Sequence, residues 1–246
     1  MFLSMLLSVT ATIISLGNAV AISGLSSTLQ EVTAFTAGPT KAKMYVYIPT
    51  IKVASPPIIV AIHHCDGSGP VYFGENPGYA QQADKLGYIL IFPSTYVDLG
   101  CWDVASTASL THNGGGDSQT IANMVTYAVK NYNGNASAVY MTGSSSGAMM
   151  TNVLAGAYPD VFKAGTLYGG VPDGCFYVAG TTANMASPGW NSQCAGGKLT
   201  KTAQAWGDQV RGYYPSYTGI RPNMLMYVSL TITAQSPTTL LNMGAK

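Results

Sequence analysis

The chain has 246 residues, of which 9% are charged, and its formal net charge is +1. This length suits one domain of the α/β size class, and we expect a single domain with a substantial core. So small a charge removes the electrostatic basis for binding nucleic acid or an anionic membrane and favours an uncharged partner. The 16 tyrosines suit contacts with neutral carbohydrate, although they also fit a secreted protein with no particular ligand.

The first 21 residues have the pattern of a cleaved secretion signal. An apolar stretch over 5–16 is followed by small residues at 19–21, Ala-Val-Ala, which a signal peptidase accepts. No Lys or Arg lies near Met1, so a form that stays anchored in the membrane is the alternative. We therefore expect a secreted, extracellular protein whose mature domain is 22–246, with no further run long enough to span a bilayer.

Strand and helix patterns alternate through most of the chain. Apolar or period-two runs predict strands at 27–35, 43–48, 58–62, 88–92, 138–141, 162–168 and 222–230. Helical spacing predicts helices over 79–86, from Asp117 or Ser118 to the turn at 131–135, and over 148–158. This alternation predicts an α/β fold, a mostly parallel sheet flanked by helices.

Three local details sharpen that prediction. The run 43–48 places Met44, Val46 and Ile48 on one face and two tyrosines on the other. Pro93 is predicted to stop the strand 88–92, because proline cannot donate to a sheet ladder. The Gly- and Ser-rich segment 174–201 is predicted to be a long loop over one end of the sheet.

The sequence GSSSG at 143–147 joins a predicted strand to a predicted helix. In that setting G-x-S-x-G forms a sharp turn that exposes its central serine, so we expect Ser145 to be a nucleophile. The pentapeptide alone is a weak signal in a chain with 28 glycines, and the flanking elements are what favour a true elbow over an ordinary turn. The backbone N–H groups of Ser146 and Cys65 are predicted to form the oxyanion hole.

A serine hydroxyl needs a general base, and at such an elbow the acid and the histidine follow the serine along the chain. No histidine follows Ser145, because His63, His64 and His112 all precede it, and the last acidic residue is Asp208. The chain therefore has a predicted nucleophile without the partners that would activate it.

Four cysteines, Cys65, Cys101, Cys175 and Cys194, form an even set in a chain with a predicted signal, so two disulfides are expected. Three connectivities are possible, and pairing of neighbours along the chain is the simplest. The spacing lacks the paired C-x-x-C of a zinc site, and no metal is predicted. Asn135 begins a glycosylation sequon in a Gly- and Asn-rich turn.

Tryptophans and histidines supply the candidate substrate contacts. Indole faces stack on sugar rings, so Trp102 and Trp190 are predicted to line a cleft, with a core position as the alternative. His64 is a candidate substrate contact, with a local hydrogen bond at the strand end as the alternative. Adjacent His63 and His64 point to opposite faces and make a poor metal pair. His112 is expected to anchor its loop rather than to bind a ligand.

Five motifs carry a resemblance to a known family: VAIHHC at 60–65, GCWD at 100–103, THNGGG at 111–116, TGSSSGAMM at 142–150 and GWN at 189–191. Over about 27–227 the chain resembles the secreted fungal-type acetylxylan and feruloyl esterases of carbohydrate esterase family one, which are related to polyhydroxybutyrate depolymerases. The resemblance implies an α/β-hydrolase fold with Ser145 as nucleophile and Cys65 in the oxyanion hole. It also implies the disulfides Cys65–Cys101 and Cys175–Cys194.

The resemblance implies a serine carboxylic ester hydrolase that deacylates xylan without a cofactor, and we expect a monomer whose partner is acylated xylan. After Tyr227 the family continues His-Gly toward the triad aspartate, whereas this chain continues Val-Ser-Leu at 228–230. We therefore expect a C-terminally incomplete domain that lacks the triad Asp and His and the last strand, and that is nearly inactive. A catalytically inactive glycan-binding protein is the alternative, as is an activity of the feruloyl esterase or depolymerase type.

Overall fold

The computed structural model describes residues 16–20, 22–51, 53–96, 100–180 and 190–227, with backbone only at 16–20. Eight strands lie in these ranges: β1 (Leu16–Val20), β2 (Leu29–Val32), β3 (Lys43–Tyr47), β4 (Ile58–Ile62), β5 (Ile89–Ser94), β6 (Val139–Ser144), β7 (Ala164–Tyr168) and β8 (Asn223–Tyr227). Six helices accompany them: α1 (Gly69–Glu75), α2 (Pro77–Leu86), α3 (Asp117–Tyr132), α4 (Ser146–Ala157), α5 (Ser192–Ala195) and α6 (Ala203–Arg211).

The eight strands form one sheet in the order β1-β2-β3-β5-β4-β6-β7-β8. The first three strands and β5 pair antiparallel, and the five strands from β5 to β8 in that order pair parallel. Parallel neighbours need crossover connections, and α2, α3, α4 and α6 lie in the connections that lead into β5, β6, β7 and β8. The predicted α/β fold, a mostly parallel sheet flanked by helices, is confirmed.

The two faces of the sheet carry separate apolar cores. Met44 and Val46 pack with α3 and α4 residues on one side. Tyr45 and Tyr47 pack with α1 and α2 residues on the other. The predicted alternation is therefore confirmed for these four residues, whereas Ile48 lies beyond the end of β3 and is exposed.

Two boundary predictions are wrong. Pro93 lies inside β5 rather than ending it, and it pairs with Met44 of β3. The pairing of β5 with β4 extends only to Ile91, so the proline sits where the strand is paired on one side, as strand prolines usually do. Helix α3 is capped by Gly116 instead of Asp117 or Ser118.

Several predictions fall on residues outside the described ranges. These are residues 1–15 and 21 of the predicted signal, 181–189 of the predicted loop, and 228–230 of the predicted last strand. Within the signal prediction, Leu16–Val20 is described as β1, paired antiparallel with β2, and the cleavage itself stays a prediction. In the part of the chain that the structure describes, no helix has the length and apolar character needed to cross a membrane.

Candidate active site

The predicted elbow is present at the junction of β6 and α4. Strand β6 ends at Ser144, helix α4 begins at Ser146, and Ser145 lies between them with φ 52° and ψ −119°. A residue with a β-carbon rarely adopts this conformation, so the surrounding structure must hold it. The Ser145 N–H donates to the carbonyl of Tyr168 at 2.9 Å, and the Ser145 carbonyl accepts from the N–H of Met149 at 3.0 Å. The Ser145 side chain is exposed, as a nucleophile must be.

Two glycines allow the backbone of the elbow to approach its neighbours. A β-carbon on Gly143 would lie 2.3 Å from the carbonyl oxygen of Gly147. A β-carbon on Gly147 would lie 2.1 Å from the carbonyl oxygen of Ile62 and 2.6 Å from that of His63. The elbow therefore packs directly on the end of β4, beside the segment that leads to Cys65.

The two predicted oxyanion amides belong to the segments that meet there. Ser146 is the first residue of α4, where backbone N–H groups have no acceptor within the helix and the helix dipole favours negative charge. Cys65 follows β4 and is bonded to Cys101, with 4.2 Å between their Cα atoms. Both predicted donors thus belong to segments that adjoin the elbow, and their role as an oxyanion hole stays a prediction.

Hydrogen bonds from ring nitrogens fix the segment after β4. His63 Nδ1 donates to the carbonyl of His64 at 2.6 Å, and His63 Nε2 accepts from the N–H of Thr95 at 3.2 Å. Burial lowers the pKa of His63 to about 4, so its ring is neutral at pH 7. His64 Nδ1 in turn donates to the carbonyl of Cys65 at 2.5 Å.

The prediction that Trp102 lines a sugar cleft is wrong. Its side chain is 1% exposed, so no indole face is available for stacking. Its Nε1 donates to the carbonyl of His63 at 3.0 Å, and the two rings lie 4.9 Å apart. Trp102 therefore supports the segment after β4 from within the core.

None of the three histidines is free to activate Ser145. Both ring nitrogens of His63 are engaged, and His64 Nε2 bonds Glu75 at 2.9 Å in addition to its contact with Cys65. The hydrogen bond to Cys65, followed by that to Glu75, raises the pKa of His64.

The third histidine lies at the far end of α4. His112 Nδ1 donates to the carbonyl of Ala157, the last residue of α4, at 2.8 Å, and its ring stacks on Tyr214 at 3.7 Å. A 12-residue helix separates this end from Ser145, a distance of about 18 Å at about 1.5 Å per residue. The prediction that His112 anchors its loop is confirmed.

Three acidic side chains that could be sought as a triad acid are each engaged elsewhere. Asp103 accepts hydrogen bonds from the N–H groups of Ala105 and Ser106, and Asp117 accepts from the N–H of Asp103. Asp208 forms a surface ion pair with Arg211.

The remaining predicted site residues lie on the surface or in loops. Trp190 is 70% exposed, with its ring 5.1 Å from that of Phe176, and it remains a candidate for sugar stacking. Cys175 and Cys194 are bonded, with 5.7 Å between their Cα atoms. The side chain of Asn135 accepts from the N–H of Ser137 at 2.9 Å, and its glycosylation stays a prediction. No group of three or more His, Cys, Asp or Glu residues that could hold a metal ion occurs within the described ranges.

A row of side chains beside the elbow was not predicted. Ser144, Tyr168 and Tyr227 are register partners across β6, β7 and β8. The abundance of tyrosine hinted at such a surface, but only the strand register shows which tyrosines meet.

Comparison with known proteins matches this geometry to one family. The family model described as Esterase PHB depolymerase matches residues 43–197. The chain is 50% identical over 202 residues to the probable acetylxylan esterase A of Aspergillus fumigatus, covering 82% of this chain and 53% of that protein. It is 48% identical to acetylxylan esterase A of Aspergillus ficuum, covering 82% of this chain and 65% of that one.

A solved structure agrees with the sequence relatives. The acetyl xylan esterase from Aspergillus awamori superposes with a TM-score of 0.77 at 48% identity, over 81% of this chain and 71% of that one. The chain thus spans 53% and 65% of the length of the two curated relatives, which is less than two thirds of each. By its elbow, its sheet and these matches, the chain belongs to the esterase PHB depolymerase family.

Proposed function

We propose that the chain belongs to a lineage of secreted serine carboxylic ester hydrolases that remove acetyl groups from xylan. In this reaction Ser145 Oγ attacks the acyl carbonyl carbon, the sugar hydroxyl leaves with a proton, and water then hydrolyses the acyl-enzyme. The backbone N–H groups of Cys65 and Ser146 stabilise the negative charge on the acyl oxygen. No metal or cofactor takes part in these steps.

The observation that carries the proposal is the elbow itself. Ser145 is exposed and held in a strained conformation at the start of α4. Gly147, two residues on, presses against the end of β4, which brings the Cys65 segment to the same place. The near-neutral chain suits an uncharged polysaccharide, and relatives of about 50% identity are named acetylxylan esterases.

A second candidate function rests on the histidines. Without a general base a serine hydroxyl is a poor nucleophile, and loss of the histidine from such a triad costs about a million-fold in turnover. His63 and His64 are engaged at both ring nitrogens, and His112 lies at the far end of α4. A secreted glycan-binding protein that keeps the cleft without the chemistry is therefore the alternative.

Added imidazole separates the two functions. We expect the 246-residue chain alone to release acetate from acetylated xylan at a rate about a million-fold below that of an intact triad enzyme. Free imidazole at high concentration supplies the missing base, so acetate release should rise well above that of the Ser145→Ala variant in the same buffer. Ser55→Ala, at an exposed serine before the amino end of β4, serves as the control and should respond to imidazole as the unaltered chain does.

Four outcomes are informative. A rise that depends on Ser145 supports the esterase. Binding of xylan with no such rise supports the glycan-binding alternative, and absence of both contradicts the choice of xylan as substrate. Fast hydrolysis without imidazole, abolished in Ser145→Ala, would show that one of the chain's own groups acts as the base.

A further inference from the structure

Two tyrosines at the carboxyl ends of β7 and β8 form a stacked, solvent-exposed pair. The rings of Tyr168 and Tyr227 lie 5.1 Å apart with an interplanar angle of 6°. Their exposed fractions are 43% and 53%. Large aromatic side chains usually bury most of their area, so a parallel exposed pair is an unusual surface for a folded protein.

The pair is held directly beside the nucleophile. The carbonyl of Tyr168 accepts the N–H of Ser145 at 2.9 Å, and the carbonyl of Tyr227 accepts the N–H of Gly169 at 2.9 Å. Ligands of open α/β sheets bind outside the carboxyl ends of the parallel strands, and both tyrosines end such strands. A molecule that stacks on the pair therefore lies next to Ser145.

Further phenols continue the row on the side of α1 and α2. Ser144, the register partner of Tyr168, is within hydrogen-bonding reach of the Tyr72 hydroxyl. Tyr79 contacts the hydroxyl of Thr142, at an oxygen–oxygen distance of 3.4 Å. Burial raises the pKa of Tyr72 to about 12, so this phenol stays uncharged and can exchange hydrogen bonds with neutral hydroxyls.

Charged groups are absent from this row, which consists of Tyr72, Ser144, Tyr168 and Tyr227. Flat aromatic faces beside neutral hydroxyls match the chemistry of a sugar ring, which has apolar C–H faces and hydroxyls at its edge. The paired His64 and Glu75 border one end of the row, where the His64 ring lies 6.1 Å from that of Tyr72, and the four side chains themselves carry no charge.

We propose that Tyr168 and Tyr227 form a sugar-binding platform that holds the xylan backbone while an acetylated unit lies at Ser145. The proposal rests on the proposed function, since it names the place where that substrate binds. The platform is a second candidate sugar contact beside Trp190. It replaces the contact predicted at Trp102, which is buried.

The same sheet face supplies a matched control. Tyr140 also lies in β6 and has a similar exposed fraction of 39%, but it is near the amino end of its strand, four residues before Ser144. Strand residues advance by about 3.3 Å each, which places Tyr140 about 13 Å from the row. If the exposed sheet face bound sugars without selectivity, Tyr140 would contribute as much to binding as Tyr168 and Tyr227. A platform at the elbow does not include Tyr140.

The test measures binding without hydrolysis, by titrating acetylated xylo-oligosaccharide into the full chain in a calorimeter. We expect Tyr168→Ala and Tyr227→Ala each to raise the Kd about tenfold, since loss of one stacking contact has about this effect. Tyr140→Ala should stay within twofold of the unaltered chain. Tyr168→Phe and Tyr227→Phe keep the stack and should bind nearly as the unaltered chain does, and a cooperative thermal unfolding transition in each alanine variant excludes misfolding as the cause of weaker binding.

The outcomes separate this proposal from the proposed function. If the unaltered chain binds and the two alanine variants bind equally well, the platform is refuted while the substrate class stands. An equal loss in Tyr140→Ala refutes it as well, because the whole face then binds without selectivity. If the unaltered chain does not bind the oligosaccharide, the platform and the substrate class are both refuted.

Discussion

Ser145 has backbone angles, φ 52° and ψ −119°, that favour glycine over any residue with a β-carbon. Conformations of this kind cost on the order of 1–3 kcal/mol and persist only where the surroundings impose them. The bonds to Tyr168 and Met149 impose it here. In this conformation Ser145 is exposed at the turn. The strained backbone therefore lowers the stability of the fold while it exposes the hydroxyl.

Replacing Ser145 by glycine tests the strain. We expect Ser145→Gly to be more stable to unfolding than Ser145→Ala by about 1 kcal/mol, because alanine keeps the β-carbon and glycine removes it. Ser144, in regular β6 conformation, gives the matched pair, and there glycine should be less stable than alanine by about 0.5–1 kcal/mol. Denaturant unfolding measures all four variants, and the same order at both positions would contradict strain at Ser145.

The approach of Gly147 to β4 gives a second test at this scale. A β-carbon there would lie 2.1 Å from the Ile62 carbonyl oxygen, so Gly147→Ala should lower the free energy of unfolding by about 1–3 kcal/mol or more. Gly74, in α1, has no heavy atom within 4 Å of its β-carbon position, and Gly74→Ala should leave stability unchanged or raise it slightly. Equal stability of the two variants, measured by thermal unfolding, would be inconsistent with the packing of the elbow on β4.

The residues of the elbow could be predicted from sequence, and some of their neighbours could not. Ser145 and Ser146 follow from a local motif between a strand and a helix, and the structure has that strand and helix. Trp102 was misassigned because burial depends on contacts with His63, 39 positions away, which no local pattern encodes. The pairing of Tyr168 with Tyr227 depends on strand register for the same reason.

At the scale of elements, a buried carboxyl group lies between α4, α6 and the chain that follows them. Asp173 is 3% exposed, and neither of its side-chain oxygens makes a hydrogen bond of normal geometry. A β-carbon on Gly156 of α4 would lie 2.8 Å from its Oδ2, and the side chain of Tyr213 is equally close to that position. Burial raises the pKa of Asp173 to about 7, against the smaller opposing effects of Gly174 and Arg221.

This pKa makes stability depend on pH in a defined direction. The folded pKa lies above the unfolded value of 3.8, so the folded state binds the proton more tightly, and stability falls as the pH rises from about 4 through 7. Asp173→Asn cannot ionise, and we expect it to reduce the loss of unfolding free energy between pH 5 and pH 8 by about 1–3 kcal/mol.

The control for this prediction is Asp208→Asn. Asp208 is exposed, and its hydrogen bond to Arg211 lowers its pKa, so it is ionised throughout that range. Its substitution should leave the difference between pH 5 and pH 8 unchanged. The free energy of unfolding of each variant is measured by chemical denaturation at the two pH values. If Asp173→Asn keeps the pH dependence of the unaltered chain, Asp173 is not the group that causes it.

Element types were predictable where apolar periodicity is strong, and boundaries were not where tertiary contacts set them. The run 58–62 is β-branched throughout, and it forms β4 in the centre of the parallel sheet. Pro93 continues β5 because β3 pairs with it, and Asp117 does not cap α3 because its carboxylate bonds the N–H of Asp103 instead. A local rule gives the preference of a residue, whereas its partners in the fold decide the outcome.

At the scale of the whole molecule, two disulfides fasten the loops at the carboxyl end of the sheet. The bond Cys65–Cys101 closes a loop of 36 residues and Cys175–Cys194 one of 19. Loop-closure entropy assigns about 3–4 kcal/mol to each, so the double serine variants should lose similar amounts of unfolding free energy.

The effects of these two pairs on acyl transfer should differ. Replacing Cys65 and Cys101 by serine frees the segment of the proposed oxyanion hole, and the imidazole-supported release of acetate should fall by tenfold or more. The variant without Cys175 and Cys194 is the control and should keep its rate when both variants are assayed with 4-nitrophenyl acetate, a substrate with no sugar for Trp190 to contact. Equal rates in the two variants at a temperature where both are folded would contradict the role of the Cys65 segment.

The proposed esterase requires the Ser145 hydroxyl to be the acyl acceptor, and peptide mapping after brief treatment with 4-nitrophenyl acetate in imidazole buffer measures this directly. The acetyl group should be found on Ser145 in large excess over Ser144 and Ser146, because Ser145 is exposed at the elbow, whereas Ser146 is buried and Ser144 belongs to the regular strand β6. Equal acetylation of the three serines, or none at Ser145, would contradict the assignment of the nucleophile and with it the proposed esterase.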